Sequence, residues 1–156
     1  MPQRPTILHI DDDPTCWQLV QALAKRYAPS DWQLLAVDSI EAAAAVLQGY
    51  HVMVVLLDLN LGHTGGTSGL LSLRRLRELI TNIIPERSAD IPIIIVTGGD
   101  ESEKPQSMAL GAVGFVTKHT MVDDPPAFFA FLGQIIEEQA FLYPFTDPPS
   151  TGARGA

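Results

Sequence analysis

The chain has 156 residues, 46% of them hydrophobic, a single cysteine and a formal net charge of −8. That length fits one domain with one full core. The acidic balance argues against a chain built to hold a nucleic-acid backbone or an anionic membrane surface, because both need basic footprints.

Thr6 to Ile10 reads as a first strand that ends abruptly in Asp11-Asp12-Asp13. A helix over Pro14 to Tyr27 follows, with Pro14 at a first helical position and Cys16, Val20, Leu23 and Tyr27 at helical spacing. Trp32 to Val37 is a second strand, and Ser39 caps an Ala-rich helix that ends near Gln48. Val52 to Leu57 is wholly apolar, as a strand buried on both faces of a parallel sheet must be, and it ends in Asp58. The Gly-rich stretch 62–69 is a loop, and a third helix runs from about Leu70 to Ile83.

Ile91 to Val96 is a fourth strand that ends at Thr97-Gly98-Gly99. A fourth helix lies around Ser102 to Leu110 and stops at Gly111. Ala112 to Thr117 is a fifth strand leading into Lys118, and Pro126 to Ala140 a fifth helix. The segment 141–156 is expected to be a tail, a dimer or partner contact at its start and then disordered. No apolar run approaches the ~20 residues of a membrane span. The start lacks the apolar core of a secretory signal, and one cysteine excludes an intrachain disulfide framework. A cytoplasmic protein is expected.

Five strands alternating with five helices predict a doubly wound α/β sheet. Ligands of such sheets bind beyond the carboxyl ends of the strands. Asp11, Asp12, Asp58, Thr97 and Lys118 all follow strands and would gather at one edge. Three carboxylates in one pocket repel, at about 4 kcal/mol for each pair ~4 Å apart with an effective dielectric near 20. A divalent cation relieves that cost, and an all-oxygen set suits Mg²⁺. A lysine charge and a threonine hydroxyl complete what phosphoryl transfer needs.

Four motifs stand at these strand ends in order: Ile7-Leu8-His9-Ile10-Asp11-Asp12-Asp13-Pro14, Val54-Val55-Leu56-Leu57-Asp58-Leu59-Asn60-Leu61, Ile94-Ile95-Val96-Thr97-Gly98, and Gly111-Ala112-Val113-Gly114-Phe115-Val116-Thr117-Lys118. With them the chain resembles the receiver domain of two-component response regulators, over roughly residues 5–140. It looks like the stand-alone type, similar to chemotaxis-like or phytochrome-associated regulators.

The resemblance implies a flavodoxin-like sheet of order 2-1-3-4-5. It makes Asp58 the acceptor of a phosphoryl group from a sensor histidine kinase or phosphotransfer protein. Asp11, Asp12, Asp58 and the backbone carbonyl of Asn60 would hold Mg²⁺, with Mn²⁺ a second candidate. Thr97, Gly98 and Lys118 would contact the phosphate. Phe115 stands where the family carries an aromatic that swings inward on activation. The output would be protein–protein contact, with no catalysis beyond loss of its own phosphoryl group.

The chain departs from the family pattern at Gly62 and His119, where a proline is usual, and in longer loops at 62–69 and 81–90. Trp17, Phe128, Phe129, Phe141 and Phe145 are candidate partner-surface residues, the last four because five of the six phenylalanines crowd the C-terminal stretch. A homodimer would use that surface. Cys16 reads as a small core residue. The four histidines show no metal-ligand spacing in the sequence, which argues against zinc. The Gly-rich loop lacks the Gly-Lys-Ser/Thr ending of a nucleotide-binding loop.

Two other functions fit less well. One is a receiver-shaped scaffold that takes no phosphate. The other is a haloacid-dehalogenase-type phosphatase with Asp11 as nucleophile, which leaves the strand ending in Asp58 unexplained.

Overall fold

A computed structural model describes residues 4–59, 68–87, 90–99 and 101–142, without the side chains of 68, 69, 87 and 140–142. Five parallel strands form one sheet in the order β2-β1-β3-β4-β5. They are β1 (Thr6–Ile10), β2 (Gln33–Val37), β3 (Val52–Leu57), β4 (Ile93–Thr97) and β5 (Gly114–Thr117). The helices are α1 (Pro14–Tyr27), α2 (Ile40–Gly49), α3 (Ser68–Ile83), α4 (Lys104–Ala109), α5 (Lys118–Asp123) and α6 (Pro125–Leu142). A one-turn 3-10 helix, Pro85–Arg87, follows α3.

The strand order is the expected one, but the described residues hold six α-helices where the sequence pattern predicts five. The additional one is α5, which starts at Lys118 with no loop before it. Thr117 caps it, its side chain accepting from the Thr120 N–H at 3.1 Å. Six residues are too few for a helical period to show. The Lys118–His119 bond is trans, since no described peptide bond is cis.

Alternation along the strands divides the core in two. Leu8, Ile10, Val55, Leu57, Ile93 and Ile95 face α2 and α3. Ile7, Met53, Leu56, Ile94 and Val96 face α1 and α6. Every residue of β3 is buried, as its unbroken apolar run requires of a central strand. Phe128 and Phe129 are 5% and 4% exposed and meet edge to face in the second layer. They are core side chains, which removes them from the partner surface expected of them. Helix α6 is apolar on more than one stripe because it packs on both β3 and α1.

Local signals set the helix starts that deliver the site. Asp13 caps α1, its carboxylate accepting from the Thr15 N–H at 3.0 Å, and Pro14 follows at the first turn. Lys25 and Arg26 sit in the last turn, where the helix dipole favours cations. Ser39 caps α2 through the Ala42 N–H at 3.1 Å.

Gly111 ends the α4 turn at φ +98°, and its carbonyl accepts from Arg77 at 2.9 Å. A Cβ there would meet only the tip of Arg77, at 3.6 Å. The cost of a side chain is therefore conformational. Gly111→Ala is expected to lower stability by about 1–2 kcal/mol, read as a lower urea midpoint with an unchanged slope.

Candidate functional site

The carboxyl ends of β1, β3, β4 and β5 meet along one edge of the sheet. Asp11 follows β1, Asp58 follows β3, Thr97 closes β4 and Lys118 follows β5. Asp11 is fully buried, and Asp58 and Thr97 are 3% and 4% exposed. One carboxylate oxygen from each of Asp11, Asp12 and Asp58 lies within 4.8 Å of the others.

Lys118 closes the cluster. Its Nζ stands 3.2 Å from Asp11 Oδ2 and 3.9 Å from Asp58 Oδ2. The stem runs past Gly98, where a Cβ would come 3.8 Å from the Lys118 Cδ. That is ordinary contact distance, so Gly98 marks an open approach and no steric demand. The Thr97 hydroxyl oxygen accepts from the Gly99 N–H at 3.2 Å.

Two further contacts hold Asp11. Its Oδ1 accepts from the Asp13 N–H at 2.9 Å. Its carbonyl accepts from the Trp17 indole N–H. Trp17 is half-buried and spends its polar edge inside its own chain. It therefore ties α1 to the site while part of its ring remains at the surface.

Burial pushes the Asp11 carboxyl up, but the His9 ring, the Cys16 thiol, the Asp13 N–H and the Lys118 charge outweigh it. The group ends well below the usual carboxylate range. Burial likewise pulls Lys118 down, and the charges of Asp58 and Asp11 more than reverse that, so it sits above its ordinary 10.5. The Cys16 thiol, pushed up to about 12 by burial and by Asp11, is neutral at physiological pH.

Phe115 is half-buried and leans on the α2–α3 side of the core. Asn60, the loop 62–67 and Phe145 lie outside the described residues, as does the side chain of Phe141. The expectations for them concern positions without described contacts.

One neighbour escapes the motif reading. His9 is fully buried, and its Nε2 lies 3.7 Å from Asp11 Oδ2. Its period-two spacing from Asp11 was the available signal, because residues i and i+2 of a strand share a face.

The family model for the response regulator receiver domain matches residues 7–124. The chain belongs to that family. It is 33% identical over 114 residues to the phosphate regulon transcriptional regulatory protein PhoB of Pseudomonas aeruginosa. The match covers 72% of this chain and 44% of PhoB, so the chain spans less than half of that relative. Among solved structures, it is similar to the receiver domain of a LuxO-type repressor from Vibrio parahaemolyticus, with a TM-score of 0.65 and 18% identity over 88% of this chain and 94% of that one. It is also similar to a CheY-like receiver protein from Methanospirillum hungatei, with a TM-score of 0.62 and 17% identity over 88% and 97%. At such identities these structures speak for the fold alone.

The receiver domain's acidic pocket can be tested against Mg²⁺ on this chain's own residues. Its donors are all carboxylate oxygens, one from each of Asp11, Asp12 and Asp58. Hard oxygens of this kind fit Mg²⁺.

The two pKa directions define a pH window. Asp11 lies below its unfolded value, so its contribution to stability is full above 3.8 and is lost as pH falls below it. Lys118 lies above its unfolded value, so its contribution is full below 10.5 and is lost as pH rises past it. Lys118→Met is expected to cost about 2 kcal/mol on a plateau between about pH 5 and 9. That is less than the 3–5 of a fully buried pair, because the lysine side chain is 24% exposed. Urea denaturation across pH should show the difference from wild type closing at both ends. A difference that does not change with pH would show that the lysine acts by packing.

Proposed function

We propose that this receiver domain is a phosphorylation-dependent switch in which Asp58 accepts a phosphoryl group from a histidine kinase or phosphotransfer protein. The observation that carries the reading is the meeting of three carboxylates within 4.8 Å, with a lysine ammonium 3.9 Å from Asp58. The receiver unit takes in 5–140, with α6 running on to Leu142, and in this reading it works in the cytoplasm.

In the transfer, an Asp58 carboxylate oxygen attacks the phosphorus as the bond from phosphorus to the donor nitrogen breaks. The product is an acyl phosphate, and the electron pair leaves with the donor imidazole. Asp11, Asp12, Asp58 and the Asn60 carbonyl are the groups proposed to hold Mg²⁺. When bound there, Mg²⁺ neutralises carboxylate charge and polarises a phosphoryl oxygen. Lys118 supplies a point charge to the phosphoryl oxygens.

The Thr97 hydroxyl donates to one of those oxygens. It already accepts from Gly99, and a hydroxyl that accepts still has its proton to give. The added charge, about −1.5 to −2, draws Thr97 and then Phe115 inward and alters the α4–β5 surface. Partners read that surface by direct contact. PhoB is a transcriptional regulator, and the stretch it shares with this chain is 44% of its length.

Acetyl phosphate with Mg²⁺ should add one phosphoryl group to the intact chain, seen by mass spectrometry. Asp58→Asn should abolish the addition, and chelation of the metal should slow it at least about tenfold. Turnover of phosphate monoesters that is lost in Asp11→Asn but intact in Asp58→Asn would overturn the reading in favour of a phosphatase. Full signalling by Asp58→Ala would point instead to a scaffold.

A further inference from the structure

We propose that His9, Asp11 and Cys16 form a second metal site, one that takes a borderline-soft cation such as Zn²⁺. It does not depend on whether Asp58 is phosphorylated. It rests on a different donor set from the acidic cluster, with which it shares only Asp11.

The juxtaposition follows from the local fold. His9 and Asp11 are two residues apart at the end of β1 and fall on the same side of the strand. Helix α1 begins three residues after Asp11. Its third residue, Cys16, turns inward and is 4% exposed. One ligand atom from each of His9, Asp11 and Cys16 lies within 4.8 Å of the other two.

The His9 ring is the independent sign of a missing ligand. It is fully buried, yet neither ring nitrogen has a hydrogen-bond partner. Buried imidazoles normally satisfy at least one nitrogen. The charged Asp11 Oδ2 is 3.7 Å from Nε2, beyond hydrogen-bond length. That separation is close to a coordination edge. Nitrogen and oxygen ligands ~2.0–2.2 Å from a tetrahedral zinc stand roughly 3.4 Å apart. A closure of a few tenths of an ångström brings the pair to ligand spacing.

The donor types discriminate between metals. Imidazole nitrogen and thiolate sulfur suit Zn²⁺ and Co²⁺, whereas Mg²⁺ wants oxygen alone. Three protein ligands leave a fourth position for water. On binding, the Cys16 S–H bond breaks, its proton leaves to solvent, and the sulfur electron pair bonds the metal. The Asp11 Oδ1 is already held by the Asp13 N–H, so Oδ2 is the ligating oxygen. Lys118 Nζ, now 3.2 Å from Oδ2, must give way, and it keeps Asp58 as its counter-ion at 3.9 Å.

The test is titration of the reduced, full-length chain with Co²⁺ in the absence of Mg²⁺. Cys16 is the chain's single cysteine, so a thiolate-to-cobalt charge-transfer band reports that residue alone. The expected result is one equivalent bound with that band. Cys16→Ser should abolish the band, and His9→Val should weaken binding at least about tenfold. Asp12→Asn and Asp58→Asn should keep the band, which separates this site from the acidic cluster. X-ray absorption on the Zn²⁺-loaded wild-type chain needs no variant and should show sulfur at ~2.3 Å. Cobalt that binds with only the weak bands of an all-oxygen site, or zinc without a sulfur neighbour, would overturn the proposal.

Discussion

The ion pair between Lys118 and Asp11 spans the sheet edge, because β3 and β4 lie between the strands that carry the two residues. In the strand order 2-1-3-4-5 it has to bridge two intervening strands. With β5 at the far edge, the lysine stem must pass over the end of β4 at Gly98 and over Asp58 to reach β1. The same reach places one cation against two carboxylates. A fully buried Asp11 would otherwise carry an uncompensated charge, which burial penalises heavily. The sheet topology and the charge balance of the site are thus one constraint seen twice.

That constraint extends into α1. The two ends of Asp11 are both engaged, its side chain with the Asp13 N–H and its carbonyl with the Trp17 indole. The first turn of the helix is therefore registered on the residue that the lysine holds. Asp13 plays a separate part as helix cap, so three consecutive acids have different physical environments. Asp11 is buried and paired, Asp12 half-buried in the cluster, and Asp13 exposed at the helix start.

The parts of the structure that were legible in the sequence are those with long or repeated signals. Val52–Leu57 is apolar at every position, and only a central strand buries both faces of a run that short. The acids and the lysine after strands were readable because doubly wound sheets gather strand ends at one edge. Features of short range were not legible. Helix α5 holds six residues, and its cap signal, Thr117 three before Thr120, competes with a strand reading of Gly114–Thr117. Phe128 and Phe129 look like surplus apolar surface in a linear reading, because nothing in the sequence says that α6 packs on two elements. The shared face of His9 and Asp11 and the inward side of Cys16 each follow from residue spacing, but spacing alone does not say that the two meet.

The stability of the molecule is unevenly distributed around the site, and the unevenness has a direction. On the β1–β3 side, strands are paired on both edges and Asp11 is tied to α1. On the other side, β5 is an edge strand of four residues and pairs only with β4. The helix before it, α4, has six residues, no side-chain cap at its start and Pro105 in its first turn. Met108 and Val113 are exposed there, and few buried contacts hold the segment. The change of charge proposed at Asp58 would reach this weak side through Thr97, which pairs with Thr117 across the β4–β5 ladder, two residues along from the Ile95–Phe115 pair. The strong side resists the same change, since moving Asp11 would break its contacts with Asp13, Trp17 and Lys118 together. The proposed perturbation at the pocket would therefore deform α4 and β5 first, where the opposing free energy is smallest.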